Sequence, residues 1–141
     1  MKIAIIGTGN LGLSIAKGLI TNNLYTTLYL TKKNIESIEK WKKYDKVYIT
    51  KNNIEAISNS DILIFSVQPG QFEEILNQIK LKLNDKHVII STITGFKINR
   101  IEKITGSSIP IIRTMPNTAI SVGNSMTCIC SNEKGDRKSV V

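Results

Sequence analysis

Apolar positions along this chain fall into two rhythms that take turns. Runs such as Ile3-Ala4-Ile5-Ile6 and Ile62-Leu63-Ile64-Phe65 are nearly continuous, the pattern of strands buried on both faces of a sheet. Elsewhere apolar residues recur three and four apart, the mark of a helix with one buried face. Leu11, Ile15, Leu19 and Ile20 predict a helix over 10–21. Ile35, Ile38 and Trp41 predict one over 34–43, and Phe72, Ile75, Leu76, Ile79 and Leu83 one over 71–83. Strands are predicted at 25–30, 46–49, 61–67, 87–91, 110–115 and 125–130, rich in β-branched and aromatic residues. A short helix opens at Asn53, with Asn52 or Asn53 as its cap, and Ile98, Ile101 and Ile104 mark another. Strand and helix signals alternate throughout. That predicts an α/β chain with a doubly wound, mostly parallel sheet and helices on both faces.

The chemistry sits where strands end. The first strand stops at Gly7-Thr8-Gly9-Asn10-Leu11-Gly12, a G-x-G-x-x-G turn leading straight into a helix. Such a turn has a bland reading, a mere strand-to-helix corner. Its place between a buried strand and an amphipathic helix favours the Rossmann-type dinucleotide fingerprint. Gly7 permits the tight turn, Gly9 lets the backbone approach a pyrophosphate, and Gly12 lets the helix pack close to the strand. The helix N-terminus adds N–H groups and partial positive charge. At the end of the second strand, an acid would hold the 2′-hydroxyl of NAD. Here stand Thr31, Lys32 and Lys33, and the first acid afterwards is Glu36. A hydroxyl and two ammonium groups suit a 2′-phosphate, so NADP is expected over NAD; the alternative is two surface lysines beginning a helix. Gln68-Pro69-Gly70 is expected as a loop at the same edge of the sheet.

Length and charge add limits. With 141 residues the chain is expected to be a single domain, residues 1–131, followed by a polar tail over 132–141. The net charge of +8 comes mostly from lysines scattered among Ile, Asn and Glu, with no basic run carrying interleaved aromatics. It is therefore read as solvated surface, and no nucleic-acid partner is expected. No apolar run reaches the roughly 18 to 20 residues of a membrane span, and the N-terminus does not resemble a signal peptide. A cytoplasmic protein without a membrane partner is the expectation. Cys128 and Cys130 are spaced as C-x-C, which supplies no second ligand pair, so reduced thiols and no metal are expected. The sole histidine, His87, opens a strand instead of ending one and is read as surface or structural. No residue is assigned a catalytic role.

The assembled stretches resemble pyrroline-5-carboxylate reductase. Gly7-Thr8-Gly9-Asn10-Leu11-Gly12-Leu13-Ser14-Ile15-Ala16-Lys17-Gly18-Leu19 is similar to that family's opening G-x-G-N-M-G-x-A-I-A-x-G-L. Asn53-Ile54-Glu55-Ala56 looks like its N-x-E-A, and Val67-Gln68-Pro69 like its V-K-P. Arg113-Thr114-Met115-Pro116-Asn117-Thr118, followed by Val122-Gly123, looks like its R-x-M-P-N-T-P-x-x-V-G and is the most specific of the four. The resemblance implies that Gly7 to Leu11 bind the pyrophosphate, that Thr31, Lys32 and Lys33 bind the 2′-phosphate, and that Asn53 meets the adenosine end. It implies that Val67, Gln68 and Pro69 line the nicotinamide ribose, and that Thr94-Gly95 and Met115-Pro116-Asn117 frame the nicotinamide and the substrate mouth. The implied reaction is hydride transfer from NADPH to the cyclic imine 1-pyrroline-5-carboxylate, giving proline. The alternatives are another Rossmann-type imine or β-hydroxy-acid reductase, or a non-catalytic NADP-binding module.

Three departures qualify the resemblance. Gln68 stands where the family has Lys, and Ala119 where it usually has Pro. The family also carries a C-terminal helical domain that dimerises and completes the substrate pocket, and this sequence shows none. Full-length members are homo-oligomers, so this chain is expected to be monomeric and to bind cofactor with little or no turnover by itself.

Overall fold

A computed structural model describes residues 1–106, 108–116 and 127–135. Their strands are β1 (Lys2–Ile6), β2 (Thr27–Thr31), β3 (Val47–Thr50), β4 (Ile62–Phe65), β5 (Val88–Ser91), β6 (Ile111–Pro116) and β7 (Thr127–Ser131). The helices are α1 (Asn10–Thr21), α2 (Asn53–Ser58), α3 (Pro69–Ile79) and α4 (Ile98–Thr105), with a 3₁₀ segment at Ile35–Lys43. The strands form one sheet in the order β3-β2-β1-β4-β5-β6-β7. All neighbours run parallel except β6 and β7. The chain winds outward from β1 in one direction, then returns to β4 and winds in the other. Strand order thus reverses between β1 and β4, where doubly wound sheets open a crevice.

Alternation along the strands sorts the core into two layers. Ala4, Ile6, Leu63, Phe65, Ile89 and Ile111 face α2, α3 and α4 through Ala56, Ile57, Phe72, Leu76, Ile79 and Ile101. Ile3, Ile5, Leu28, Leu30 and Ile64 face α1 and the 3₁₀ segment through Ala16 and Ile38. In the first layer Phe72 meets Phe65 at 5.1 Å and Phe96 at 4.8 Å between ring centres, locking α3 over the middle of the sheet.

Several predicted elements shift in instructive ways. The segment after β2 is 3₁₀, not α. Ile35, Ile38 and Trp41 are spaced strictly by three, and a helix of three residues per turn stacks such positions on one face. The expected loop at Gln68-Pro69-Gly70 is instead the start of α3, with Gln68 at its N-cap and Pro69 in its first turn, where the missing proline N–H removes nothing. That helix also stops earlier than predicted, at Ile79. Lys82 N–H then turns back to the Ile79 carbonyl at 2.8 Å, and Leu81 points to solvent. For α2 the cap is Asn52, whose Oδ1 accepts from Ile54 N at 3.0 Å and Glu55 N at 3.2 Å.

His87 is buried and structural. Asn84 N–H donates to its Nδ1 at 3.1 Å, while its Nε2 lies 3.2 Å from the Ile57 carbonyl. A neutral ring protonated on Nε2 satisfies both partners, tying the end of α2 to the turn before β5. His87→Ala takes the acceptor from Asn84 N–H and one donor from the Ile57 carbonyl, which keeps Ser60 N–H at 3.2 Å, and is expected to lower unfolding stability by about 1 kcal/mol. Urea denaturation measures it.

Residues from Asn132, expected as a polar tail, begin with a side chain that knits the domain edge. Asn132 Oδ1 accepts from Ile111 N and Gly135 N, and Nδ2 donates to Glu102 Oε1 and the Ile109 carbonyl. Gly135 is buried against the Ile111 backbone. Residues 136–141 lie outside the described residues. Among the described residues no helix is long and apolar enough to cross a membrane.

Candidate nucleotide-binding site

The C-terminal ends of β1 and β4 part at the reversal of strand order, and the glycine turn fills the gap. Gly7 has φ +89°, and a Cβ there would lie 2.8 Å from the Ser66 carbonyl oxygen and collide with the Val67 side chain. The position therefore requires glycine on both counts. A Cβ on Gly12 would collide with the Gly7 carbonyl, so Gly12 sets how closely α1 seats on the turn. Gly9 is the opposite case. A Cβ there meets nothing within 4 Å, so its missing side chain leaves open space. Gly9 caps α1 with no side-chain hydrogen bond and no acid in the first turn, so the first N–H groups of that helix are not occupied by a side-chain cap.

The turn is clasped to the end of β2. Thr31 Oγ1 accepts from Gly7 N–H at 3.3 Å, and the Thr31 carbonyl accepts from Thr8 N at 3.1 Å and Thr8 Oγ1 at 3.0 Å. Thr31 is 2% exposed. Its hydroxyl, read from the sequence as a phosphate ligand, has a structural hydrogen bond first.

Two clefts open along this edge. One of about 380 Å³ is bounded by Gly7, Thr8, Gly9, Thr31, Lys32, Lys33 and Asn53, with Val67 and Gln68 at its other side. A second, of about 520 Å³, is bounded by Asn10, Leu11, Pro69 and Thr94. Gly9, Ser66, Val67 and Gln68 border both, so the two meet directly over the reversal point. The expected site residues are thereby gathered at one edge, with three exceptions. Gly12 borders neither cleft, because it lies buried beneath the turn. Met115 borders neither, being on β6, two strands from β4, with its side chain 44% exposed. Asn117 lies outside the described residues.

Sequence reasoning missed Lys51, Gln71, Glu74 and Gln78 in the first cleft, and Thr92 and Ile93 in the second. Gln71, Glu74 and Gln78 recur at helical spacing on α3, a signal visible once that helix is known to begin at the cleft. Thr92 is held by its Oγ1 donating to the Phe65 carbonyl at 2.9 Å, which fixes the end of β5 beside β4. The open space over Gly9, the uncapped helix N-terminus and the lysines of the first cleft fit a long, phosphorylated ligand.

Fold and site together define the class, a Rossmann-type domain. The chain belongs to the family described as NADP oxidoreductase, coenzyme F420-dependent, whose model matches residues 2–95. It is 39% identical over 142 positions to pyrroline-5-carboxylate reductase 2 of Dictyostelium discoideum, covering 98% of this chain and 48% of that one. Among solved structures it is similar to a pyrroline-5-carboxylate reductase from Coxiella burnetii, with a TM-score of 0.89 and 29% identity, covering 99% of this chain and 53% of the other. It is also similar to the Plasmodium falciparum pyrroline carboxylate reductase with NADP bound, with a TM-score of 0.81 and 28% identity, covering 99% and 52%. The chain spans about half the length of each of these relatives.

Proposed function

We propose that this chain is the NADP-binding half of a cytoplasmic pyrroline-5-carboxylate reductase, the enzyme that reduces 1-pyrroline-5-carboxylate to proline. The observation that carries the reading is the paired cleft meeting over Gly9, with ammonium groups bordering one part and none bordering the other. The names of the three relatives and the Arg113–Thr118 stretch support the substrate. When bound, the reduced nicotinamide supplies a hydride to the imine carbon.

The chain's own residues bind and orient. Gly9 and the first turn of α1 take the pyrophosphate, Lys32 and Lys33 the 2′-phosphate, and Asn53 the adenosine end. Val67, Gln68 and Pro69 support the nicotinamide ribose, and Thr94 stands at the nicotinamide end. Gln68 is neutral where the resemblance expects lysine, so this chain orients by hydrogen bonding at that point. Fixed placement of this kind lowers the barrier to transfer by removing orientational freedom before reaction.

Calorimetric titration with NADPH and with NADH tests the cofactor. NADPH is expected to bind more tightly, and binding of neither overturns the reading. The half of the Dictyostelium relative that this chain does not match, supplied in trans or by fusion, is expected to bring turnover of 1-pyrroline-5-carboxylate. A fusion that binds NADPH yet reduces no 1-pyrroline-5-carboxylate overturns the assigned reaction.

A further inference from the structure

We propose that Lys51 is a specificity-determining residue of the NADP site, a third ammonium group closing on the 2′-phosphate from a loop separate from that of Lys32 and Lys33. The proposal rests on the nucleotide reading above and adds a residue to it.

Lys51 follows β3, nineteen positions beyond Lys32 in sequence. Parallel pairing of β2 with β3 sets Thr31 opposite Thr50. The ladder continues one step further, with Lys32 N–H directed at the Thr50 carbonyl at 3.4 Å. The two strands therefore release Lys32 and Lys51 side by side at the same edge, and Lys32, Lys33 and Lys51 all border the first cleft. Among the described residues none of the three forms an ion pair. The acid bordering this cleft is Glu74, which comes from α3 and not from either lysine loop. Three like charges gathered at one cleft repel one another, and a dianion placed among them relieves that repulsion.

The loop holding Lys51 is also fixed in shape. Thr50 Oγ1 donates to Glu55 Oε2 at 2.7 Å and accepts from Asn52 N–H at 3.0 Å, while Asn52 caps α2. Lys51 lies inside this clasp with its own side chain left to solvent. The nearby carboxylate of Glu55 accepts from Thr50 and, among the described residues, forms no ion pair with Lys51. Nucleotides lacking the 2′-phosphate carry nothing for Lys51 to meet.

The test compares Lys51→Gln and Lys51→Arg with the parent chain, using NADPH, NADH and adenosine 2′,5′-bisphosphate as ligands. Lys51→Gln is expected to weaken NADPH and the bisphosphate by about tenfold relative to NADH, and to flatten the salt dependence of NADPH binding. Lys51→Arg is expected to keep the preference, since a guanidinium also binds phosphate. A parent chain that prefers NADPH, with a ratio unchanged by Lys51→Gln, overturns the role of Lys51 and leaves the nucleotide reading standing. Equal weakening of NADPH and NADH also overturns it, because Lys51 would then act on the shape of the loop. A parent chain that does not discriminate removes the 2′-phosphate site and this proposal together.

Discussion

Gly9→Val is expected to abolish most NADPH binding while leaving the protein folded. Nothing stands within 4 Å of where its Cβ would be, and the backbone already lies at φ −76°, which any residue adopts. The folded chain therefore loses only the difference between glycine and valine as a helix cap, about 1 kcal/mol. On the proposed reading a bound pyrophosphate needs that same space. Its exclusion removes charge-assisted hydrogen bonds to the helix N-terminus, and the affinity should fall by at least about a hundredfold. Thermal melting and NADPH titration on one sample separate the two effects. Unchanged affinity would place the pyrophosphate elsewhere.

Gly12→Val should do the reverse. Its Cβ would strike the Gly7 carbonyl, a backbone atom that cannot swing aside, and would lie 3.4 Å from Ile5 Cγ2. Either α1 lifts from the sheet or the turn deforms. Overpacking of this kind costs about 3 kcal/mol, a fall of roughly 10 °C in melting temperature for a chain of this size. Nucleotide affinity falls as well, since Gly7 is displaced. Melting at the parent temperature would mean that α1 does not seat on the turn as described. The two glycines belong to one motif, yet one shapes the protein and the other, on the proposed reading, shapes the space for the ligand.

The sequence already showed why the sheet forms. Continuous apolar runs separated by helical spacing lead to a doubly wound sheet, and the glycine turn marks its centre. What was harder to read depends on pairing across the chain. Lys51 carries no local signal; only the β2–β3 register brings it beside Lys32. Thr31 stands at the position that selects cofactors, and the contact not visible in the sequence is the one from Gly7 N–H, which leaves the hydroxyl proton of Thr31 free to donate. His87 could be placed at a strand's start, while its burial depends on the Ile57 carbonyl thirty residues earlier. The 3₁₀ segment was legible only as a helix, since residues three apart share a face in an α-helix as well and Ile35, Ile38 and Trp41 fit either form. Met115 was carried in by the resemblance alone, and no rule of spacing placed it at the cleft.

The Thr31 clasp has one more consequence on the proposed reading. Three hydrogen bonds join the glycine turn to the residue just before Lys32, so the groups for the pyrophosphate and those for the 2′-phosphate belong to one rigid frame. The site then behaves as a chelator of fixed span. A ligand carrying both anions at the matching separation loses its translational freedom once and gains both contacts, so its affinity exceeds that of its separate fragments by the effective concentration of the second anion. Stretching the span, by loosening Thr31 with neither anion contact altered, should weaken the whole dinucleotide far more than either fragment.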